Sequence, residues 1–285
     1  MIRPPLISAA ELQQALAPSQ TPPLVLDCSF DLADAAAGER SYREGHIPGA
    51  LYVNLNEDLS GPKTGRNGRH PLADRADYAR WMGRVGIVPG REVVVYDRQA
   101  AMYAVRAWWV LLWMGHRQVR VLDGGLAAWQ AAGGALSPRI VQPVPAAPYP
   151  DAAPQRPTID AQQLQQRLGD VLVLDARAPE RYHGEVEPID AVAGHIPGAK
   201  NRFFKDNLQA DGRFKPAEQL RAEFAAALGG RAPTEVVNQC GSGVTACHNL
   251  LAMEIAGLHG AALYPGSWSE WSSDSSRPME KSPRS

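Results

Sequence analysis

The segment Cys240-Gly241-Ser242-Gly243-Val244-Thr245 holds the most reactive arrangement of residues in the chain. The residues before it, 235–239, read as a short β-branched strand that ends at the cysteine. The residues after it read as a helix with Cys247, Leu251, Ile255 and Leu258 on one apolar stripe. Glycines at 241 and 243 let the backbone curl and let a ligand come close. Several N–H groups can then converge on one point, and the helix N-terminus adds positive potential there. Such a loop favours the thiolate, which is the nucleophilic form, and the same N–H groups can hold an anionic sulfur. The residues alone leave a second reading open, because a cysteine at the end of a buried strand is often an inert core residue.

The elements that must position this loop occur twice. Leu24-Val25-Leu26-Asp27 leads to Gly45-His46-Ile47-Pro48-Gly49-Ala50, and Val171-Leu172-Val173-Leu174-Asp175 leads to Gly194-His195-Ile196-Pro197-Gly198-Ala199. Val93-Val94-Val95-Tyr96-Asp97 parallels Val236-Val237-Asn238-Gln239-Cys240, and Asp123-Gly124-Gly125 with Trp129 parallels Pro265-Gly266-Ser267 with Trp271. Corresponding landmarks in the same order indicate a duplicated unit. The expected division is a first domain over 1–137, a Pro-rich extended connector over 138–157, and a second domain over 158–285. Short apolar strands alternate with helical stretches, as at 160–168 and 216–228, so each domain is expected to be α/β with a mostly parallel central sheet flanked by helices. Thr158-Ile159-Asp160 places a cap candidate at the start of the first of these helices. The tail, 272–285, is polar and reads as loose.

The duplication bears on the chemistry. At the position matching Cys240 the first copy has Asp97, and its loop Arg98-Gln99-Ala100-Ala101 lacks the glycines. A thiol that merely packed would have a small apolar counterpart, not a carboxylate.

Bulk properties exclude several classes. Over 285 residues the charged fraction is 21% and the net charge −1, so no field for nucleic acid or an anionic membrane is present. No apolar run is long enough to span a bilayer, and the N-terminus has no secretory pattern. Three cysteines, Cys28, Cys240 and Cys247, do not make a disulfide scaffold and suit a reducing, cytoplasmic setting. Zinc normally takes four ligands at paired spacings, and Cys240, Cys247 and His248 do not supply them, so no metal or other cofactor is expected. Cys28 reads as a packing residue, and so does Cys247, with a resolving or redox role as its other reading. His46 and His195, repeated in both copies, read as turn-stabilising.

At these motifs the chain resembles the rhodanese sulfurtransferase family, specifically its tandem two-domain members. The two Gly-His-Ile-Pro-Gly-Ala motifs, the Asp-Gly-Gly and Pro-Gly-Ser-Trp segments and the Cys240 loop carry the resemblance over nearly the whole chain. It implies a silent first domain and a second domain in which Cys240 forms a persulfide. A Cys-Gly-Ser-Gly-Val-Thr loop resembles that of the 3-mercaptopyruvate sulfurtransferases, whereas thiosulfate-preferring members usually carry basic residues after the cysteine. The resemblance therefore implies transfer of sulfur from 3-mercaptopyruvate to cyanide, a thiol or thioredoxin. Thiosulfate as the donor, or a non-catalytic rhodanese-like binding module, are the alternatives.

Residue by residue, the resemblance implies Cys240 as nucleophile and Gly241, Gly243, Val244 and Thr245 as the loop that cradles the sulfur. It implies Ser242 as a hydroxyl near the reacting oxygen, with a helix cap as its other reading. Arg181 matches a substrate-carboxylate arginine, and His70 in Gly68-Arg69-His70-Pro71 matches a histidine facing the site. An acidic residue upstream would orient that histidine, and the nearest matches are Asn56 and Asp58. Mercaptopyruvate-using members commonly have a second arginine after a Glu-Pro pair. Ile189 follows Glu187-Pro188 here, so that clamp is absent or supplied from elsewhere. A Cys-dependent phosphatase would need Cys-x5-Arg, and Ala246 occupies the arginine position.

Overall fold

The structure, a computed structural model, describes residues 4–18 and 22–282. The chain divides into two compact units. The first comprises Met1–Gly61, Ala73–Gln155 and Ala210–Phe214, and the second Pro62–Leu72, Arg156–Gln209 and Lys215–Ser285. Pro62–Leu72 lies in the first copy by sequence and in the second unit by contact.

The first unit runs β1 (Leu6–Ile7), α1 (Ala9–Ala15), β2 (Leu24–Asp27), α2 (Ala37–Glu44), β3 (Leu51–Tyr52), α3 (Arg75–Arg84), β4 (Val93–Tyr96), α4 (Ala104–Trp113), β5 (Val119–Leu122) and α5 (Gly125–Ala131). Its sheet has the order β1-β5-β4-β2-β3, with every neighbouring pair parallel. The second unit runs α6 (Ala161–Gln166), β6 (Leu172–Asp175), α7 (Pro179–Tyr182), β7 (Lys200–Asn201), α8 (Ala217–Leu228), β8 (Val236–Gln239), α9 (Ala246–Ile255), β9 (Ala262–Leu263) and α10 (Ser267–Trp271). Its sheet order is β7-β6-β8-β9, again all parallel. The α/β architecture with two mostly parallel sheets is as the sequence predicts.

Local signals account for the element starts. Ser8 caps α1 in a capping box with Glu11, and Asp160 caps α6 in the same way with Gln163. The strands β2, β4, β6 and β8 are buried along their whole length, which is why β2, β4 and β6 open on three consecutive apolar residues and β8 on two. One core cluster in the first unit gathers Ile7, Leu12, Val25, Ile47, Val94, Leu122 and Trp129. Its counterpart in the second gathers Ile159, Leu164, Val173, Ile196, Val237, Trp268 and Trp271.

The repeated histidines have matching roles. His46 Nδ1 lies 2.7 Å from the Tyr42 carbonyl oxygen, and His195 Nδ1 lies 2.8 Å from that of Tyr182. Each ring stacks on the same tyrosine, with centroids 3.9 and 4.1 Å apart. The backbone of His46 bridges to Ser137, and that of His195 to Glu280.

That second bridge corrects the expectation of a loose tail. Glu280 N–H donates to the His195 carbonyl, and the Trp271 indole N–H donates to the Pro278 carbonyl. The tail repeats the pairing that Ser137 makes in the first unit, so its polar composition does not set it free. Residues 283–285 lie outside the described ones. The connector 138–157 contains no helix or strand, but it is anchored: Ala146 and Tyr149 N–H groups donate to Gly83 and Ala79 of α3. The apolar stripe expected after Cys240 is also different from the expectation. Residues 246–253 of α9 are all buried, so the helix is enclosed on every side, and Leu258 lies beyond its end.

Candidate active site

The strand order locates the site. From β6 the chain moves to β7 on one side and then to β8 on the other, so the sheet has a switch point between β6 and β8. Ligands of open parallel sheets bind outside the carboxyl ends of the strands at such a point. Cys240 follows β8, and Asp175 ends β6.

Cys240 is 1% exposed. Its backbone is held on both sides: its N–H donates to Ser267 Oγ at 3.1 Å, and its carbonyl accepts from the Trp268 N–H at 2.9 Å. Ser267 adopts φ 53°, a left-handed conformation that glycine normally takes, and Gly125 takes it at the matching place in the first unit. Gly243 has φ 75°, and a Cβ there would lie against the Pro265 carbonyl. The loop is therefore closed upon the segment that precedes α10, and only glycine fits at 243.

In the first unit the matching loop holds a carboxylate. The Asp97 carboxylate accepts from four backbone N–H groups: Gln99 at 2.8 Å and Ala101 at 2.9 Å on one oxygen, Tyr103 at 2.8 Å and Ala104 at 2.9 Å on the other. Burial pushes the Asp97 carboxyl upward, and those N–H groups pull it back toward the ionised form. The same loop position that carries the thiol in one copy carries a cradled carboxylate in the other.

Around Cys240 the second unit gathers the other residues. His70 Nδ1 and Ser242 Oγ share a hydrogen bond of 2.8 Å, and both residues are buried. Ser242 thus serves a histidine and not a helix cap; the cap position of α9 belongs to Thr245, which makes no side-chain cap bond. Val244 is buried in the loop. Arg181 lies beside Gly241, with Nη1 3.4 Å from the point a Cβ at 241 would occupy. Its guanidinium pairs with Glu187 at 2.7 Å and Asp190 at 3.1 Å. Asp58 belongs to the first unit, where its carboxylate accepts the Asn54 N–H. Cys247 Sγ donates to the Gly243 carbonyl from within the core, and Cys28 is buried, its thiol pushed well up by burial.

Three features went unread in the sequence. Arg177 is 3% exposed, pairs with Asp175 at 2.6 Å and stacks over Trp268 at 4.8 Å. Burial opposes its charge, but Asp175 and Glu187 outweigh that and push its pKa further up. Ser267 is the second, and its signal was the serine replacing Gly125 in the aligned copies. The third is Arg69, whose guanidinium pairs with Asp190 and reaches the same point beside Gly241 as Arg181. Among the described residues, no group of three or more His, Cys, Asp or Glu could hold a metal ion. No helix among them is long and apolar enough to cross a membrane.

A parallel sheet repeated twice, with a cysteine loop at the switch point of one copy, is the arrangement of a tandem rhodanese. The family model for the rhodanese-like domain matches residues 8–132 and again 160–274, and the chain belongs to that family. A Pseudomonas aeruginosa protein with the provisional name 3-mercaptopyruvate sulfurtransferase is 50% identical over 280 residues, covering 96% of this chain and 97% of its own. SseB of Mycobacterium tuberculosis, provisionally named a thiosulfate sulfurtransferase, is 43% identical over 281 residues, covering 96% of each. Among solved structures, the 3-mercaptopyruvate sulfurtransferase of Leishmania major superposes with a TM-score of 0.83 at 28% identity, over 95% of this chain and 75% of that one.

Proposed function

We propose that the chain is a sulfurtransferase that moves sulfur from 3-mercaptopyruvate to a thiophilic acceptor through a persulfide on Cys240. The observation that carries this reading is the paired loop. A thiol occupies the position where the other copy cradles a carboxylate on four backbone N–H groups. That is a site for an anionic sulfur.

In the first half-reaction the Cys240 thiolate attacks the donor's sulfur. An S–S bond forms, the C–S bond breaks, and its electron pair leaves as the enolate of pyruvate, which takes up a proton at carbon. The Ser242 hydroxyl, hydrogen-bonded to His70, stands to stabilise the enolate oxygen and to pass a proton. In the second half-reaction an acceptor thiolate attacks the outer sulfur and the Cys240 thiolate is restored. A small thiol or thioredoxin suits this step in a reducing cytoplasm, and cyanide serves as an acceptor in the test tube. The three cysteines are free, which agrees with such a compartment.

Thiosulfate is the second reading, favoured by the name of the Mycobacterium relative and by two guanidinium groups beside Gly241. Initial rates with both donors, together with mass spectrometry of the donor-treated protein, decide between the readings. The expected result is one added sulfur on Cys240, none in Cys240→Ser, and a higher kcat/KM for 3-mercaptopyruvate. Equal or better use of thiosulfate would overturn the donor. No added sulfur would leave a binding module.

A further inference from the structure

The guanidinium of Arg69 is in an unusual position. Gly68 presses against the Gly266 backbone so closely that a Cβ would lie 2.7 Å from the Gly266 carbonyl oxygen. The Arg69 N–H donates to Ser269 Oγ at 3.1 Å. These contacts fix the Pro62–Leu72 segment on Gly266 and on α10 itself, within the second unit. From there Arg69 Nη2 comes within 2.8 Å of the point a Cβ at Gly241 would occupy, and Arg181 Nη1 and Nη2 lie 3.4 and 3.6 Å from the same point. Two guanidinium groups thus converge on the space left open by the missing side chain of the residue next to Cys240.

One carboxylate bridges them. Asp190 accepts from Arg69 with one oxygen and from Arg181 with the other, the latter at 3.1 Å. Asp190 is largely enclosed, its side chain 7% exposed. Glu187 accepts from Nε and Nη2 of Arg181, on the same side as Asp190. Arg69 Nε, by contrast, is buried with no hydrogen-bond partner among the described residues. A buried charged N–H group without an acceptor is a place for a ligand oxygen.

We infer that Arg69 and Arg181 together form the subsite for the carboxylate of the sulfur donor, with Asp190 holding the two guanidinium groups side by side. This rests on the reading of 3-mercaptopyruvate as donor and explains how the chain recognises it with Ile189, an uncharged and exposed residue, after Glu187-Pro188. The second cation comes from a segment distant in sequence. Gly241 leaves the room: a larger residue there would fill the space between the guanidinium groups and the thiol.

The test compares wild type, Arg69→Met and Arg69→Lys with 3-mercaptopyruvate and with mercaptoacetone, the same mercaptoketone without the carboxylate. Losing a charge-assisted contact to a carboxylate is expected to raise KM for 3-mercaptopyruvate about 10- to 100-fold in Arg69→Met, with kcat changed less than about threefold. The KM for mercaptoacetone should shift less than about threefold, which also reports a folded enzyme. Arg69→Lys, which keeps the charge but not the planar fork, should fall between wild type and Arg69→Met. A wild type that uses 3-mercaptopyruvate while Arg69→Met shows an unchanged KM overturns the subsite and leaves the donor standing. An equal rise in KM for both donors overturns it too. A wild type that does not turn over 3-mercaptopyruvate overturns both.

Discussion

Gly243→Ala isolates the contribution of loop geometry. At φ 75° an alanine pays the left-handed penalty, roughly 1–2 kcal/mol. Its Cβ would also lie 3.0 Å from Pro265 Cα and carbonyl carbon, and against the carbonyl oxygen. Both partners are backbone, so the relief must come from moving the loop, at about 1–3 kcal/mol by analogy with overpacked cores. The sum is about 2–5 kcal/mol, or a fall in Tm of roughly 8–20 °C for a unit of this size. The moving part is the segment that fixes Cys240 through Ser267 Oγ and the Trp268 N–H, so the thiol shifts with it. A displacement near 1 Å costs on the order of 100-fold in rate. Scanning calorimetry and single-turnover persulfide formation measure the two effects. Gly241→Ala is the control: its φ lies outside the left-handed region, and its Cβ meets only the movable end of Arg69 and Arg181, so its Tm should stay near that of wild type. A Gly243→Ala protein that melts within about 2 °C of wild type and loads sulfur normally would refute the reasoning.

Ser242→Ala and His70→Gln should each lower kcat with 3-mercaptopyruvate by roughly 100-fold, and the double variant by little more, because the two act through one 2.8 Å hydrogen bond. Additive losses in steady-state assays would separate them. Burial holds the His116 imidazole down at about 4, from 6.5, with Tyr149 Oη 3.2 Å from its Nδ1. The fold keeps this ring neutral, so its contribution is fully present above pH 6.5 and is lost as pH falls toward 4, by up to about 3 kcal/mol. Urea midpoints at pH 7.5, 5.5 and 4.5 should show a shallower acid decline in His116→Gln than in wild type, and parallel declines would rule the histidine out.

Much of the fold is legible because duplication lets each copy check the other. A strand run such as Val93–Tyr96 is buried on both faces, so hydrophobicity marks it, and its place in the duplication then marks Val236–Gln239, which ends on two buried polar residues. The tail was misread because its single backbone bridge, Glu280 to His195, leaves no trace in composition. The helix after Cys240 reads as amphipathic but is enclosed, because its polar residues find partners inside: Asn249 accepts from Asn207 and donates to the Arg202 carbonyl. In the site, the cysteine loop is legible in its own residues, and Ser242 and His70 come singly from the resemblance; their hydrogen bond comes from the fold. Arg69, Arg177 and Asp190 do not, because a cation's partner is decided by which strands and segments become neighbours, which spacing along the chain does not encode.

The Asp97 carboxylate makes a duplicated chain monovalent. Two loops of the same design are built, but one is permanently occupied by its own side chain, so an anionic donor has one cradle to enter and saturation should follow a single hyperbola. The same occupant spares the first unit a set of buried N–H groups with nothing to bind. The copy without a thiol at this position thereby has a loop whose N–H groups are satisfied from within.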